Sequence, residues 1–237
     1  MERNPHVTVF ADGDALAAAL ADRVATALSA ALETKERVSL AVSGGSSPLQ
    51  VHGLLAERPL AWDRVDVVLV DERWVAPDHE GSNEAFVRET LLHDCAQDAQ
   101  LTGLWSETGN LPAGATIASR AMAYVSQPLD VVLLGMGPDG HTASWFPSAE
   151  GLTAALADDA SPVVAIRAQA SDVTGALTER LTLSLPMVAE ATSISLLMRG
   201  ETKRAVFEQA LSDGDVEDLP VRAILRKRPD MWVGWAP

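Results

Sequence analysis

Residues 131–147 read VVLLGMGPDGHTASWFP, an apolar run that breaks into glycines and then into a histidine. The run at 130–134 has the composition of a buried strand, so the glycines form a loop at its carboxyl end. Residues 135–140, GMGPDG, fit the Gly-x-Gly-x-x-Gly pattern of a dinucleotide-binding turn. Three features weaken that reading. Pro138 removes one backbone N–H from a turn whose N–H groups should face a pyrophosphate. Asp158 and Asp159 lie near the spacing of the ribose-binding acid, about 20 residues on, but they precede the next apolar run instead of ending it. The pattern also starts past the middle of the chain, whereas this fingerprint usually opens its domain.

On both sides of this stretch, short β-branched runs alternate with helical patterns. Strands are predicted at 7–10, 38–42, 65–70, 130–134, 193–198 and 231–235, with shorter apolar runs at 163–166 and 181–185. Helices are predicted at 14–32, 48–56, 83–92, 117–124 and 202–211. This alternation predicts an α/β fold, a Rossmann-like, mostly parallel sheet flanked by helices. No composition break is long enough for a linker and no repeat is present. The turn-rich segment 107–114 reads as a surface loop, and one domain is expected over 1–237. In open parallel sheets, ligands bind where strand carboxyl ends meet the following loops. That rule singles out 43–48, 71–73 and 135–147.

The chain has 237 residues, 47% hydrophobic and 22% charged, enough for one substantial core. A formal net charge of −15 argues against nucleic-acid partners, because phosphate-backbone affinity needs clustered Lys and Arg. A small phosphorylated substrate needs only a few cations in one pocket. Cys95 is the only cysteine, so neither an internal disulfide nor a Cys-based zinc site can form, and a reducing cytoplasm is the expected setting. A buried thiol is expected there. MERNPHVTVF lacks a signal peptide's basic start and apolar core. The Ala-rich stretch 15–32 is broken by Asp22 and Arg23, and reads as an amphipathic helix with no membrane partner. Oligomeric state is left open.

SGGSSP at 43–48 offers adjacent glycines Gly44 and Gly45, hydroxyls Ser46 and Ser47, and a proline suited to a helix's first turn. It reads equally as an anion cradle at a helix N-terminus and as a plain tight turn. DERWV at 71–75 puts two carboxylates and a guanidinium after an apolar strand, where an ordinary solvated corner is the alternative. His141 follows Asp139 by two residues. A carboxylate can fix an imidazole's tautomer for proton transfer near neutral pH, while a loop histidine can also simply satisfy local backbone groups. His6, His52, His79 and His93 show no metal-ligand spacing, so no metal is expected. No Gly-x-Ser-x-Gly elbow is present. The six tryptophans read as core or pocket-wall residues, and Arg226 to Arg228 as a solvated helix end.

Taken in order, SGGSSP, DERWVAPDHEGSN and GMGPDGHTASWFP resemble the 6-phosphogluconolactonase family, relatives of the glucosamine-6-phosphate isomerase/deaminases. The resemblance covers nearly the whole chain and extends to RLTLSL at 180–185 and MRGETK at 198–203. It implies hydrolysis of 6-phospho-D-glucono-1,5-lactone to 6-phosphogluconate, the second step of the oxidative pentose phosphate pathway, without metal or cofactor. Carried over, His141 is the general base that activates water and Asp139 orients it. Asp71, counted among the catalytic residues, and Arg73 line the sugar end. Gly44, Gly45, Ser46, Ser47, Arg180 and Lys203 hold the phosphate. Phe146 stands where the isomerase/deaminases carry an acidic residue, and SDVTGALTE at 171–179 departs from the family's usual Pro- and Lys-rich approach to the arginine.

Overall fold

The computed structural model describes residues 5–107 and 109–237, so residues 1–4 of the N-terminal stretch and Thr108 of the turn-rich segment lie outside the description. Seven strands form one parallel sheet: β1 (Val7–Val9), β2 (Val38–Val42), β3 (Val65–Leu69), β5 (Gln100–Thr102), β6 (Val131–Gly135), β9 (Ser193–Arg199) and β10 (Trp232–Ala236). Their order is β1-β10-β9-β6-β2-β3-β5. β2 and β3 are buried at every position, as strands covered by helices on both faces must be. Hence they read as unbroken apolar runs.

A second, antiparallel sheet was not foreseen. It contains β4 (Asp71–Arg73), β8 (Glu179–Leu183) and β7 (Val163–Arg167), in the order β4-β8-β7. The residue that joins the two sheets is Val70. Its N–H donates to the Val42 carbonyl of the large sheet, at 2.9 Å, while its own carbonyl accepts from Leu183 N–H at 2.8 Å. The chain turns there, and DERWV becomes a strand instead of a solvated corner. Arg73 then faces Arg180 across the pair, and Asp71 faces Thr182.

The helices are α1 (Gly13–Leu32), α2 (Ser46–Ala56), α3 (Asn83–Thr90), α4 (Leu111–Ala121), α5 (Leu152–Leu156), α6 (Leu185–Ala189), α7 (Glu201–Ala210) and α8 (Val221–Lys227). Asp12 caps α1 by accepting from Ala15 N–H at 2.8 Å. Among the described residues one helix, α1, is long and apolar enough to cross a membrane, and it instead lays Leu16, Leu20, Val24 and Leu28 into the core, all fully buried. Asn110 caps α4, which therefore starts inside the segment read as a surface loop; the predicted helix at 117–124 begins six residues early. The short α5, α6 and α8 and the edge strand β5 carry too few residues to show a period. Two further readings are corrected. Cys95 is exposed, in a 3-10 turn at Asp94–Asp98. Arg228 is not solvated, because its Nη1 donates to the carbonyls of Ala189 and Ala191 and its guanidinium pairs with Asp230.

His52 is a core histidine whose ring packs near Phe86. Thr90 Oγ1 donates to the Phe86 carbonyl, so His52 Nδ1 donates to Thr90 at 2.9 Å and Nε2 carries no proton. Burial lowers its pKa to about 4. The unfolded chain therefore takes up this proton first as pH falls, and stability drops between about pH 6.5 and 4. At pH 5 the loss should be about 2 kcal/mol. Urea unfolding of wild type and His52→Leu at pH 7.5 and 5 measures it: the acid-induced loss should be smaller in the variant, and an equal loss in both would reject this origin.

Candidate active site

β3 lies on one side of β2 and β6 on the other, so the loops after β2 and β6 leave at the switch point of the sheet. That is where open α/β sheets form a crevice. The two loops are tied together, since Ser43 Oγ donates to the Leu133 carbonyl at 3.1 Å. β4 and β8 of the small sheet and the start of α7 close the crevice into a cleft of about 300 Å³. Of the ten residues singled out from sequence, Gly44, Gly45, Ser46, Ser47, Asp71, Arg73, His141, Arg180 and Lys203 line it. The tenth, Asp139, stands behind His141.

The GMGPDG stretch is a turn that serves the histidine. Gly140 N–H donates to the Gly137 carbonyl at 3.1 Å, and Gly137 N–H donates to the His141 carbonyl at 2.9 Å. These two N–H groups are spent inside the turn and do not face a pyrophosphate, which counts against the dinucleotide reading. Pro138 sits at the second turn position, where its fixed φ fits. The turn brings Asp139 Oδ1 to 2.5 Å from His141 Nδ1. Burial raises the Asp139 carboxyl, but the hydrogen bond and charge of His141 outweigh it and hold it below its usual value. An ionised carboxylate only accepts, so Nδ1 carries the proton and Nε2 offers a lone pair.

A Cβ at Gly137 would run into the His141 ring and the Asp139 carboxylate. Gly137→Ala should therefore displace this pair while the sheet stays intact, lowering kcat about tenfold or more. Steady-state kinetics beside an unchanged circular dichroism spectrum would show it; wild-type kcat would mean the pair tolerates the shift.

The segment after His141 is pinned at each step. Thr142 Oγ1 donates to the Gly135 carbonyl at 2.8 Å, Ser144 Oγ to Asp71 Oδ2 at 2.6 Å, and Trp145 Nε1 to the Leu183 carbonyl at 2.9 Å. Ala143 between them takes φ 52°, a left-handed conformation costing an alanine about 1–2 kcal/mol. Sequence reading missed Ser144, which holds Asp71 against the histidine loop across the two sheets. It also missed Glu72 and Asn83. Glu72 is buried and accepts from the N–H groups of Arg73, Asn83 and Glu84 and from Ser82 Oγ. Burial pushes its carboxyl up, and these four hydrogen bonds oppose the rise. It fixes the N-terminus of α3 to β4. Asn83 Nδ2 donates to the Asp71 carbonyl at 2.8 Å, and a Cβ at Gly44 would strike Asn83 Oδ1. Both residues lay in the DERWVAPDHEGSN motif, but their partners are separated by 11 and 12 positions.

Three cations, Arg73, Arg180 and Lys203, face the cleft, and none of them has a carboxylate in salt-bridge contact among the described residues. Arg180 is 4% exposed, and its Nε and Nη2 donate to the carbonyls of Leu177 and Thr174. Burial lowers its pKa; Asp71 opposes that and the nearby Arg73 adds to it. Arg73 donates from Nη1 to the Gly81 carbonyl at 2.5 Å, and its buried Nε has no partner among the described residues. Burial likewise lowers Lys203, with Asp139 opposing. Like charges directly opposite on paired strands destabilise a sheet. Two arginines held so, with a lysine nearby, form a place for an anion. α2 points its N-terminus at the same cleft: Gly45, at φ 104°, is its N-cap, and no side chain caps the helix. The geometry thus favours the anion cradle over the plain turn for SGGSSP.

A larger groove of about 570 Å³ lies against α4 and β7, walled by residues such as Ala115, Ala157 and Val164, and has no convergent titratable cluster. No group of three or more His, Cys, Asp or Glu placed to hold a metal occurs among the described residues.

The family described as glucosamine-6-phosphate isomerases/6-phosphogluconolactonase matches residues 11–233. A 6-phosphogluconolactonase of Rhizobium meliloti is 41% identical over 238 residues, covering all of both chains. One from Pseudomonas aeruginosa is 38% identical over 218 residues, 92% of this chain and 89% of that one. Among solved structures, a 6-phosphogluconolactonase from Shewanella baltica superposes with a TM-score of 0.93 at 37% identity, over the full length of both chains.

Proposed function

The chain belongs to the glucosamine-6-phosphate isomerase/6-phosphogluconolactonase family, and from that premise we propose that it hydrolyses 6-phospho-D-glucono-1,5-lactone to 6-phospho-D-gluconate in the oxidative pentose phosphate pathway. One observation carries the reading: a carboxylate-oriented imidazole and three cations free of carboxylate partners share one cleft of about 300 Å³. The whole chain, 1–237, is read as one domain built around that cleft, and its single, exposed thiol is compatible with a cytoplasmic location.

In this reading Arg180, Lys203 and the N-terminus of α2 hold the phosphoryl group, with Arg73 and Asp71 at the sugar. Charge-assisted hydrogen bonds of this kind orient the ring at a distance from the reacting carbonyl. His141 Nε2 takes a proton from water as the water oxygen bonds to the lactone carbonyl carbon. The carbonyl oxygen carries the negative charge until the bond from that carbon to the ring oxygen breaks. The ring oxygen leaves as a hydroxyl with the proton from His141, and the new carboxylic acid releases a proton to solvent. Asp139 keeps Nδ1 protonated and stabilises the imidazolium. Backbone N–H groups of the glycine-rich loops are the candidate oxyanion donors. No step calls on a metal. The isomerase/deaminase alternative is disfavoured, because the position the resemblance assigns to its acid holds Phe146, whose ring lies tilted against that of His141.

Proton release from freshly generated 6-phosphogluconolactone, corrected for spontaneous opening, tests the proposal. Acceleration saturating with substrate is expected; a rate equal to the spontaneous one rejects it.

A further inference from the structure

Phe146 lines the cleft, and the mechanism above gives it no part. Its ring is 4% exposed and touches two groups of the site at once. Its centroid is 4.4 Å from that of the His141 imidazole, with the planes inclined by 38°, and 5.6 Å from the Arg180 guanidinium carbon. Apolar packing alone would be served by any branched side chain. An aromatic face, however, carries a negative quadrupole that attracts cations. Neutral imidazole gains little from it, whereas the imidazolium that follows proton uptake gains more.

The charged groups around His141 make that difference matter. Asp139 supports a positive ring from the same loop, and Asp71 of β4 supports it from across the cleft. Arg73 of β4, Arg180 of β8 and Lys203 of α7 oppose it from the remaining walls. An anion bound among those three would relieve the opposition only while bound. The Phe146 ring is present throughout, in contact with the imidazole and with one of the opposing cations.

We propose that Phe146 is a positioning residue whose ring face stabilises the protonated form of His141 and holds the Arg180 guanidinium in place for the anion. Its catalytic meaning rests on the lactonase reading; its effect on the imidazole does not.

Phe146→Leu keeps apolar bulk and removes the ring. By NMR titration, the His141 midpoint should fall by about half a pH unit. The acid limb of kcat/KM should move the same way, and affinity for 6-phosphogluconate should weaken about threefold. Phe146→Tyr, which keeps the ring, should restore all three. If the leucine variant does not fold, Phe146→Met replaces it, with the same expected shift. An unchanged midpoint in the folded variant, or a tyrosine variant no better than leucine, overturns the proposal. A shifted midpoint in a protein that does not accelerate lactone opening supports the ring's role and rejects the lactonase reading. Lactone hydrolysis with an unmoved midpoint rejects the ring's role alone.

Discussion

His141→Ala is expected to lower kcat for lactone hydrolysis by about 10²- to 10⁴-fold, the range a positioned general base supplies. That corresponds to about 3–5 kcal/mol of barrier. Binding should survive, because the cations of the cleft are held by other elements: Arg73 by the Gly81 carbonyl, Arg180 by those of Leu177 and Thr174. Affinity for 6-phosphogluconate, measured by calorimetry, is therefore expected to stay within a few-fold of wild type. Asp139→Asn should fall between the two, since asparagine can still accept from Nδ1–H but brings no charge to the imidazolium. Wild-type turnover in the alanine variant would remove His141 as the base. Loss of turnover together with loss of binding would point to a collapsed loop and not to lost chemistry.

Arg180→Ala should produce the opposite split. In the proposed reading the guanidinium meets the phosphoryl group in ground and transition states alike, so its loss should raise KM more than it lowers kcat. A hydrogen bond to a charged group is worth about 1.5–3 kcal/mol, which gives a 10- to 100-fold loss of affinity for 6-phosphogluconate. The unliganded protein should lose less than burial alone suggests. The variant strands the carbonyls of Leu177 and Thr174, yet it relieves the repulsion from Arg73 directly opposite. Inorganic phosphate should raise the melting temperature of wild type, because binding to the native state alone stabilises it, and should raise that of the variant much less. Equal phosphate stabilisation in both proteins is the result that excludes Arg180 from the anion site.

The large sheet could be read in advance because β2, β3 and β6 are buried on both faces and say so in composition. Their ends set off the loops, and a ligand at the carboxyl edge followed from the parallel arrangement alone. The small sheet could not be read. β4 is three residues long and continues from β3 with only Val70 between, so no periodicity marks the change of sheet. Ser144 was hidden, since its partner Asp71 lies 73 positions away, and Phe146, singled out for its place in the motif, gave no sign of its contact with Arg180 across the same gap between sheets.

By itself the sequence determined the local chemistry: a Gly-Pro-Asp-Gly turn short enough to lay a carboxylate on the next histidine, and a glycine pair that leaves a helix N-terminus uncapped. Both depend on neighbours within a few residues, where bond geometry and steric exclusion act without the rest of the chain. Tertiary structure alone decided what surrounds that histidine. The pairing of Arg73 with Arg180 requires β4 and β8 to meet, and the contacts of Ser144 with Asp71 and of Phe146 with Arg180 set those two strands against the histidine loop. That meeting is fixed by the hydrogen-bonded corner at Val70 and by burial of the apolar residues that flank it.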